Sequence, residues 1–90
     1  MAYRPKDTQE RILHRLKIAQ GHLKKVINMV EEDCYCIDVL HQMQAVGSAI
    51  AETECVVLEN HLKTCAIDSI RAGKQEEAIK EIMTIFKKDK

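Results

Sequence analysis

Three side chains with soft donor atoms, Cys36, His61 and Cys65, stand at spacings that suit metal coordination. The 36–65 stretch reads as an uninterrupted helical pattern, and at about 100° per residue His61 and Cys65 fall roughly 20° to either side of Cys36, so all three share one stripe. They cannot meet on a single helix. At about 1.5 Å per residue, Cys36 and His61 lie roughly 38 Å apart, whereas a metal needs its donors within about 2.5 Å. An antiparallel second copy removes the difficulty, because Cys36 of one chain then lies beside His61 and Cys65 of the other and two equivalent sites result.

Such a pairing places a twofold axis near residue 50, where the helices must approach closely. The sequence there, Ala45-Val46-Gly47-Ser48-Ala49-Ile50-Ala51, is built of small side chains. Leu40, Met43, Gly47, Ile50, Glu54 and Leu58 continue the donor stripe at steps of three and four, and only Glu54 breaks its apolar character. It is expected to pair across the seam or sit at its edge. The competing reading is an ordinary bundle core in which the thiols pack as small hydrophobes. A histidine and a cysteine at i, i+4, in phase with a distant cysteine, weigh against it. Cys34, two residues from Cys36, would diverge from it by about 200° on a helix, which leaves it a reserve ligand or an exposed thiol. Cys55 lies off the stripe and is expected to pack inertly. His14 and His22 have no donor at ligand spacing and read as surface groups.

The elements that must hold these donors are helices. Asp7 followed by Glu10 reads as an N-cap with a capping box. The first helix, 7–32, has Ile12, Leu16, Ala19, Leu23, Val26 and Val30 on its apolar face and Arg11, His14, Arg15, His22 and Lys25 on the other, with Lys17 and Lys24 further round. Gly21 inside it suggests close packing or a bend, since glycine costs about 1 kcal/mol relative to alanine there. Glu31-Glu32-Asp33 oppose a helix C-terminus but suit the start of the next helix, placed at 35–72, with Ala72-Gly73 as its stop. A third helix, 75–87, presents Ala78, Ile79, Ile82, Met83 and Phe86 and is expected to cover the open side of the bundle. The opening, Met1 to Lys6, holds the one proline and is expected to fray.

The 90 residues make a single all-α domain, 1–90, with three aromatic residues and a core of Leu, Ile, Val, Met and Ala. A domain of this size buries only about 60% of its unfolded surface, and two short helices cannot cover a long central one, so oligomerisation is expected. The net charge of zero hides an uneven distribution: +5 over residues 1–25, −6 over 26–65 and +1 over 66–90. The basic first quarter points to a polyanion partner. No apolar run is long enough for a membrane span, and the start lacks the apolar core of a signal peptide; a cytoplasmic protein is expected. In a reducing compartment its four cysteines are more in keeping with ligands or redox-active thiols than with structural disulfides.

Two thiolates and one imidazole form a soft site of low coordination number, which suits Cu(I). Zn(II) accepts the same groups but generally takes a fourth in a structural site. Ni(II) and Co(II) are disfavoured, since no histidine among residues 1–10 completes a larger set. Binding releases thiol protons and tightens as pH rises. An enzyme and a small-molecule substrate are not expected, because the chain offers no oxyanion-hole loop or cofactor fingerprint and the coordination set leaves little room for a substrate.

Arg15-Leu16-Lys17, Gly21-His22-Leu23, Glu32 to Leu40, Gln44-Ala45-Val46 and Asn60 to Cys65 together resemble the copper-sensing CsoR repressors, colinearly over nearly the whole chain. The nickel and cobalt, formaldehyde and persulfide sensors are sister branches. The resemblance implies an antiparallel all-helical homodimer assembled into a disc-shaped homotetramer. It also implies an operator-DNA complex formed without a helix-turn-helix, which metal binding weakens to derepress copper-resistance genes. It carries the metal ligands onto Cys36 of one subunit and His61 and Cys65 of the other, outer partners onto Tyr35 and Glu81, and DNA contacts onto Arg15 and Lys17. The stripe on the first helix adds Arg11 and Lys25. Glu81 is expected to accept a hydrogen bond from the free imidazole nitrogen of His61. Relatives of the copper branch often carry an arginine where this chain has Glu52. Ala2 and Cys65 separate the chain from the formaldehyde branch, and His61 from the persulfide branch. A persulfide or redox switch on Cys36 and Cys65, and a copper buffer without a DNA role, are the alternatives.

Overall fold

The computed structural model describes residues 3–87, all of it helix and short turns. Helix α1 spans Lys6–Glu31. Helix α2 runs over Cys36–His61, widens into one π-helical turn at Leu62–Ala66 and closes as α-helix over Ile67–Arg71. Helix α3 spans Gln75–Lys87. The second helix is therefore continuous but not uniform: the π turn follows His61 and contains Cys65. None of the described helices is long and apolar enough to cross a membrane.

The start of α1 differs from the expected capping box. Pro5 is the N-cap, at φ −59° and ψ 155°, and no side chain caps the helix; Asp7 lies inside the first turn. Proline fixes its own φ and has no N–H to lose, so it delivers the chain into the helix, and its carbonyl accepts the Gln9 N–H at 3.0 Å. Asp7 instead lies where a negative charge favours the dipole. Met1 and Ala2 lie outside the described residues; Tyr3 and Arg4, expected to fray, are hydrogen-bonded to the rest of the chain. The Arg4 Nε donates to Gln9 Oε1 at 2.6 Å, and the Asn60 amide donates to the Tyr3 carbonyl at 3.1 Å.

Both turns are Schellman closures. At the end of α1, the Cys34 N–H reaches the Met29 carbonyl at 2.9 Å and the Asp33 N–H reaches Val30 at 3.1 Å. After α2, the Lys74 N–H reaches Ser69 at 2.8 Å and the Gly73 N–H reaches Ile70 at 3.0 Å. The left-handed position is filled by Gly73 (φ 81°) in the second closure and by Asp33 (φ 57°) in the first.

Helices α1 and α2 pack against each other antiparallel, with His22 Nε2 2.7 Å from Gln42 Oε1 across the contact. Ile12, Ala19 and Val26, seven residues apart, are the buried positions of α1, and Thr53 is that of α2. Thr53 resolves its polar group by donating to the Ala49 carbonyl at 2.9 Å. Leu16, Leu23 and Val30, expected in the same core, face outward at 39%, 48% and 60% exposure. Gly21 has nothing within 4 Å of the place a Cβ would take, so no close packing within the chain accounts for it.

Helix α3 also departs from expectation. Ala78 is buried, but Ile79, Met83 and Phe86 are exposed, so α3 does not lid the α1–α2 pair. It forms one wall of an apolar groove of 940 Å³ shared with Ile12 and Leu16 of α1 and Ile50, Val57 and Leu58 of α2. Total accessible surface is 7502 Å², against about 5400 Å² for a compact monomer of this mass. The excess exceeds the roughly 800 Å² that each partner buries in a standard interface.

Candidate metal centre

His61, Cys65 and Glu81 line one cleft of 320 Å³, together with Tyr3, Arg4, Val57, Asn60 and Ser69. Three elements position them. The last α-helical residue of the main segment of α2 supplies His61, the π turn supplies Cys65, and α3 folds back after Gly73 to supply Glu81. The Tyr3–Arg4 segment lines a further side, held by Asn60, the residue before His61.

The π turn changes the relation between the two donors. A π turn closes i to i+5 and winds less per residue than an α turn. From His61 to Cys65 the chain therefore rotates less than the regular helix assumed in the sequence reading, and Cys65 stays closer to the His61 face. Thr64 accompanies this widening: its hydroxyl donates to the Asn60 carbonyl at 2.8 Å, a back-bond that bends helices. The same oxygen lies 3.6 Å from Cys65 Sγ. Thr64 and the half-buried thiol are thus fixed relative to each other.

Cys36 is not in this cleft. It opens α2 at the far end, exposed, and Tyr35, the N-cap, is 69% exposed. Within the described part of one chain, no three His, Cys, Asp or Glu side chains gather at metal-binding distance. What joins the two ends is the stripe between them. Leu40, Met43 and Ile50 are 50%, 51% and 37% exposed, and Gly47 and Glu54 are also uncovered. The donor set itself, two thiols and one imidazole, fits a soft cation.

The other predicted groups fall as follows. Glu81 and His61 share the cleft, yet no hydrogen bond links them among the described residues, so the expected direct contact is absent here. Cys55 is exposed and lines the apolar groove rather than packing inertly. Cys34 is half-buried at the turn, and all four thiols are free. Arg11, Arg15, Lys17 and Lys25 are all exposed on α1. Arg15 forms an ion pair with Glu52, at 3.8 Å. His22 is tied to Gln42 rather than free on the surface. Sequence reasoning missed Tyr3, Asn60 and Thr64. Of these only Thr64 left a signal, as a hydroxyl residue inside a helix beside a candidate ligand.

Comparison with known proteins identifies the family. The family model for the metal-sensitive transcriptional repressor matches residues 8–88. The copper-sensing transcriptional repressor CsoR of Mycobacterium ulcerans is 39% identical over 87 residues, 97% of this chain and 74% of that protein. CsoR of Bacillus subtilis is 40% identical over 80 residues, 89% of this chain and 79% of that one. The crystal structure of the copper-sensing repressor CsoR with Cu(I) from Geobacillus thermodenitrificans superposes with a TM-score of 0.88 at 36% identity, covering 98% of this chain and 92% of that chain. The matched proteins are repressors, not enzymes, and this chain belongs to the metal-sensitive transcriptional repressor family.

Proposed function

We propose that this protein is a cytoplasmic copper(I)-responsive repressor that binds operator DNA without metal and releases it when Cu(I) binds, freeing copper-resistance genes for transcription. The observation that carries the reading is the uncovered stripe of α2, with Cys36 at one end and the His61–Cys65 cleft at the other. A second copy laid antiparallel on that stripe brings each Cys36 to a partner's cleft. Copper-sensing relatives spanning nearly the whole chain support the choice of metal. The dimers pair further into a homotetramer, and the 1–90 domain of each chain carries both functions.

Cys36 from one subunit and His61 and Cys65 from the other would hold the ion. Bound Cu(I) would supply a fixed three-way link between helix ends of two chains. Glu81, in the same cleft, would accept the free imidazole N–H from α3 once the site is assembled, so that the state of the site is felt by that helix. Tyr35 stands beside Cys36 and flanks the incoming thiol. Arg11, Arg15, Lys17 and Lys25 on α1 meet DNA phosphates, which supply most of the sequence-independent affinity. Copper weakens DNA binding by the factor by which DNA weakens copper binding.

The test is DNA binding with and without Cu(I), by the protein and by its His61→Ala form. The expected result is one Cu(I) per subunit and loss of DNA affinity in the native protein, with His61→Ala binding DNA but not responding to copper. Failure to bind DNA at any salt, or an unchanged copper response in His61→Ala, overturns the reading.

A further inference from the structure

Among the described residues two ion pairs form. Lys63–Glu59 joins neighbouring turns of one helix, whereas Arg15–Glu52 joins α1 to α2. The Arg15 Nη1 lies 3.8 Å from the Glu52 Oε2, with the two side chains 43% and 73% exposed. Arg11, Lys17 and Lys25 have neither an ion pair nor a hydrogen bond among the described residues. One cation of the basic stripe therefore carries its own anion. A carboxylate and a phosphate offer a guanidinium the same thing, paired oxygens that accept its N–H donors, so the two compete for one partner. The α1–α2 packing that also sets the His22–Gln42 contact holds the Glu52 backbone opposite Arg15, so its carboxylate stays within reach of the guanidinium when DNA arrives.

We propose that Glu52 is an intramolecular competitor for the phosphate at Arg15, holding affinity for duplex DNA below what the basic stripe of α1 would otherwise give. This rests on α1 being the DNA face, and the experiment separates the two. Metal-free, reduced protein is titrated into a fluorescein-labelled DNA duplex of mixed sequence, by anisotropy over a series of salt concentrations. Four forms are compared: native, Glu52→Gln, Arg15→Gln and the double variant. Both substitutions lie at exposed helical positions and keep the side-chain shape polar, and circular dichroism checks that each form is folded.

Glu52→Gln is expected to tighten binding about 3–10-fold near 0.1 M salt and to steepen the log–log salt slope by about one. In the Arg15→Gln background the same change should give less than half of that gain. No gain from Glu52→Gln, or an equal gain in both backgrounds, overturns the competition while leaving α1 as the DNA face. Native-like binding by Arg15→Gln at low salt removes Arg15 from the interface and the proposal with it.

Discussion

At its C-terminal end α2 widens into a π turn, is bonded to the Tyr3 carbonyl through Asn60, and faces α3 across a cleft that holds His61, Cys65 and Glu81. At its N-terminal end the same helix begins with an uncapped turn, an exposed thiol and an exposed tyrosine ring. The first end has walls around its donors; at the second, Cys36 and Tyr35 lie open, and the chain is tied to α1 through the Asp33 closure behind them. An arrangement in which one end is shaped and the other bare is what two halves of a shared site would look like when separated, because each bare end needs only to present a group that the shaped end of another chain receives. On the proposed reading the two ends have unequal tasks: orientation falls to the His61–Cys65 end, and delivery of the last donor to Cys36.

The strongest way to break that comparison is to divide the two ends between different chains. Neither Cys36→Ala nor Cys65→Ala can assemble a full site as a homodimer, and each should lose more Cu(I) affinity than the roughly 10–100-fold typical of removing an outer partner. Unfolded together and refolded as a mixture, the two variants form heterodimers in which one of the two positions regains Cys36 from one chain and His61 with Cys65 from the other. Competition with a Cu(I) chelator should then show high-affinity sites at about one per heterodimer. No recovery on mixing would mean that the donors do not combine across chains.

A smaller effect is expected at Glu81, which touches only the shaped end. Glu81→Ala should lower Cu(I) affinity by no more than the roughly 10–100-fold of an outer partner, while cutting the copper-induced loss of DNA affinity, about 5–150-fold for coupled sites, to a few-fold at most. The absence of a direct Glu81–His61 hydrogen bond in the isolated chain sharpens the expectation. If the contact forms only when the site is assembled, Glu81→Ala should not change affinity for DNA before copper is added. Anisotropy titrations of the metal-free and copper-loaded forms check both halves of the statement. An unchanged copper response would mean that the shaped end does not report through α3.

How much of this contrast could be read from the sequence depends on which atoms carry it. The stripe with Cys36 and His61 was legible because side-chain type and helical period are both sequence properties. So was the stop at Ala72-Gly73, since glycine reaches positive φ without strain. The stop at Asp33 was legible only through the dipole, because aspartate occupies the left-handed region less often. The Asp7–Glu10 capping box was a wrong expectation, as the preceding Pro5 had already fixed the entry to α1. The π turn has no residue type or spacing that marks it in a sequence and was invisible. The Tyr3 bond was equally hidden, because it uses a backbone carbonyl that any residue would supply. The outward faces of Leu23, Val30 and Phe86 were legible as apolar but not as unpartnered, since periodicity reports a face and not what covers it.

The two Schellman closures allow a finer comparison of the same two ends. Gly73 lets α3 return to the cleft, at φ 81°, and Asp33 lets α2 begin, at φ 57°. Gly73→Ala places a Cβ in left-handed backbone, at a cost of roughly 1–2 kcal/mol, with space around it to spare. Thermal unfolding at fixed protein concentration should show that loss, and because the closure orients α3, Gly73→Ala should also weaken the coupling that Glu81 provides. Asp33→Gly removes a strain of similar kind but adds about 0.5–1 kcal/mol of unfolded-state freedom, so the two nearly cancel and stability should change by no more than about 0.5 kcal/mol. If the bare end only delivers a thiol, Cu(I) affinity in Asp33→Gly should equal that of the native protein. A marked loss of affinity there, with unfolding unchanged, would mean that the turn before Cys36 orients the thiol as the π turn orients Cys65, and that the bare end is shaped after all.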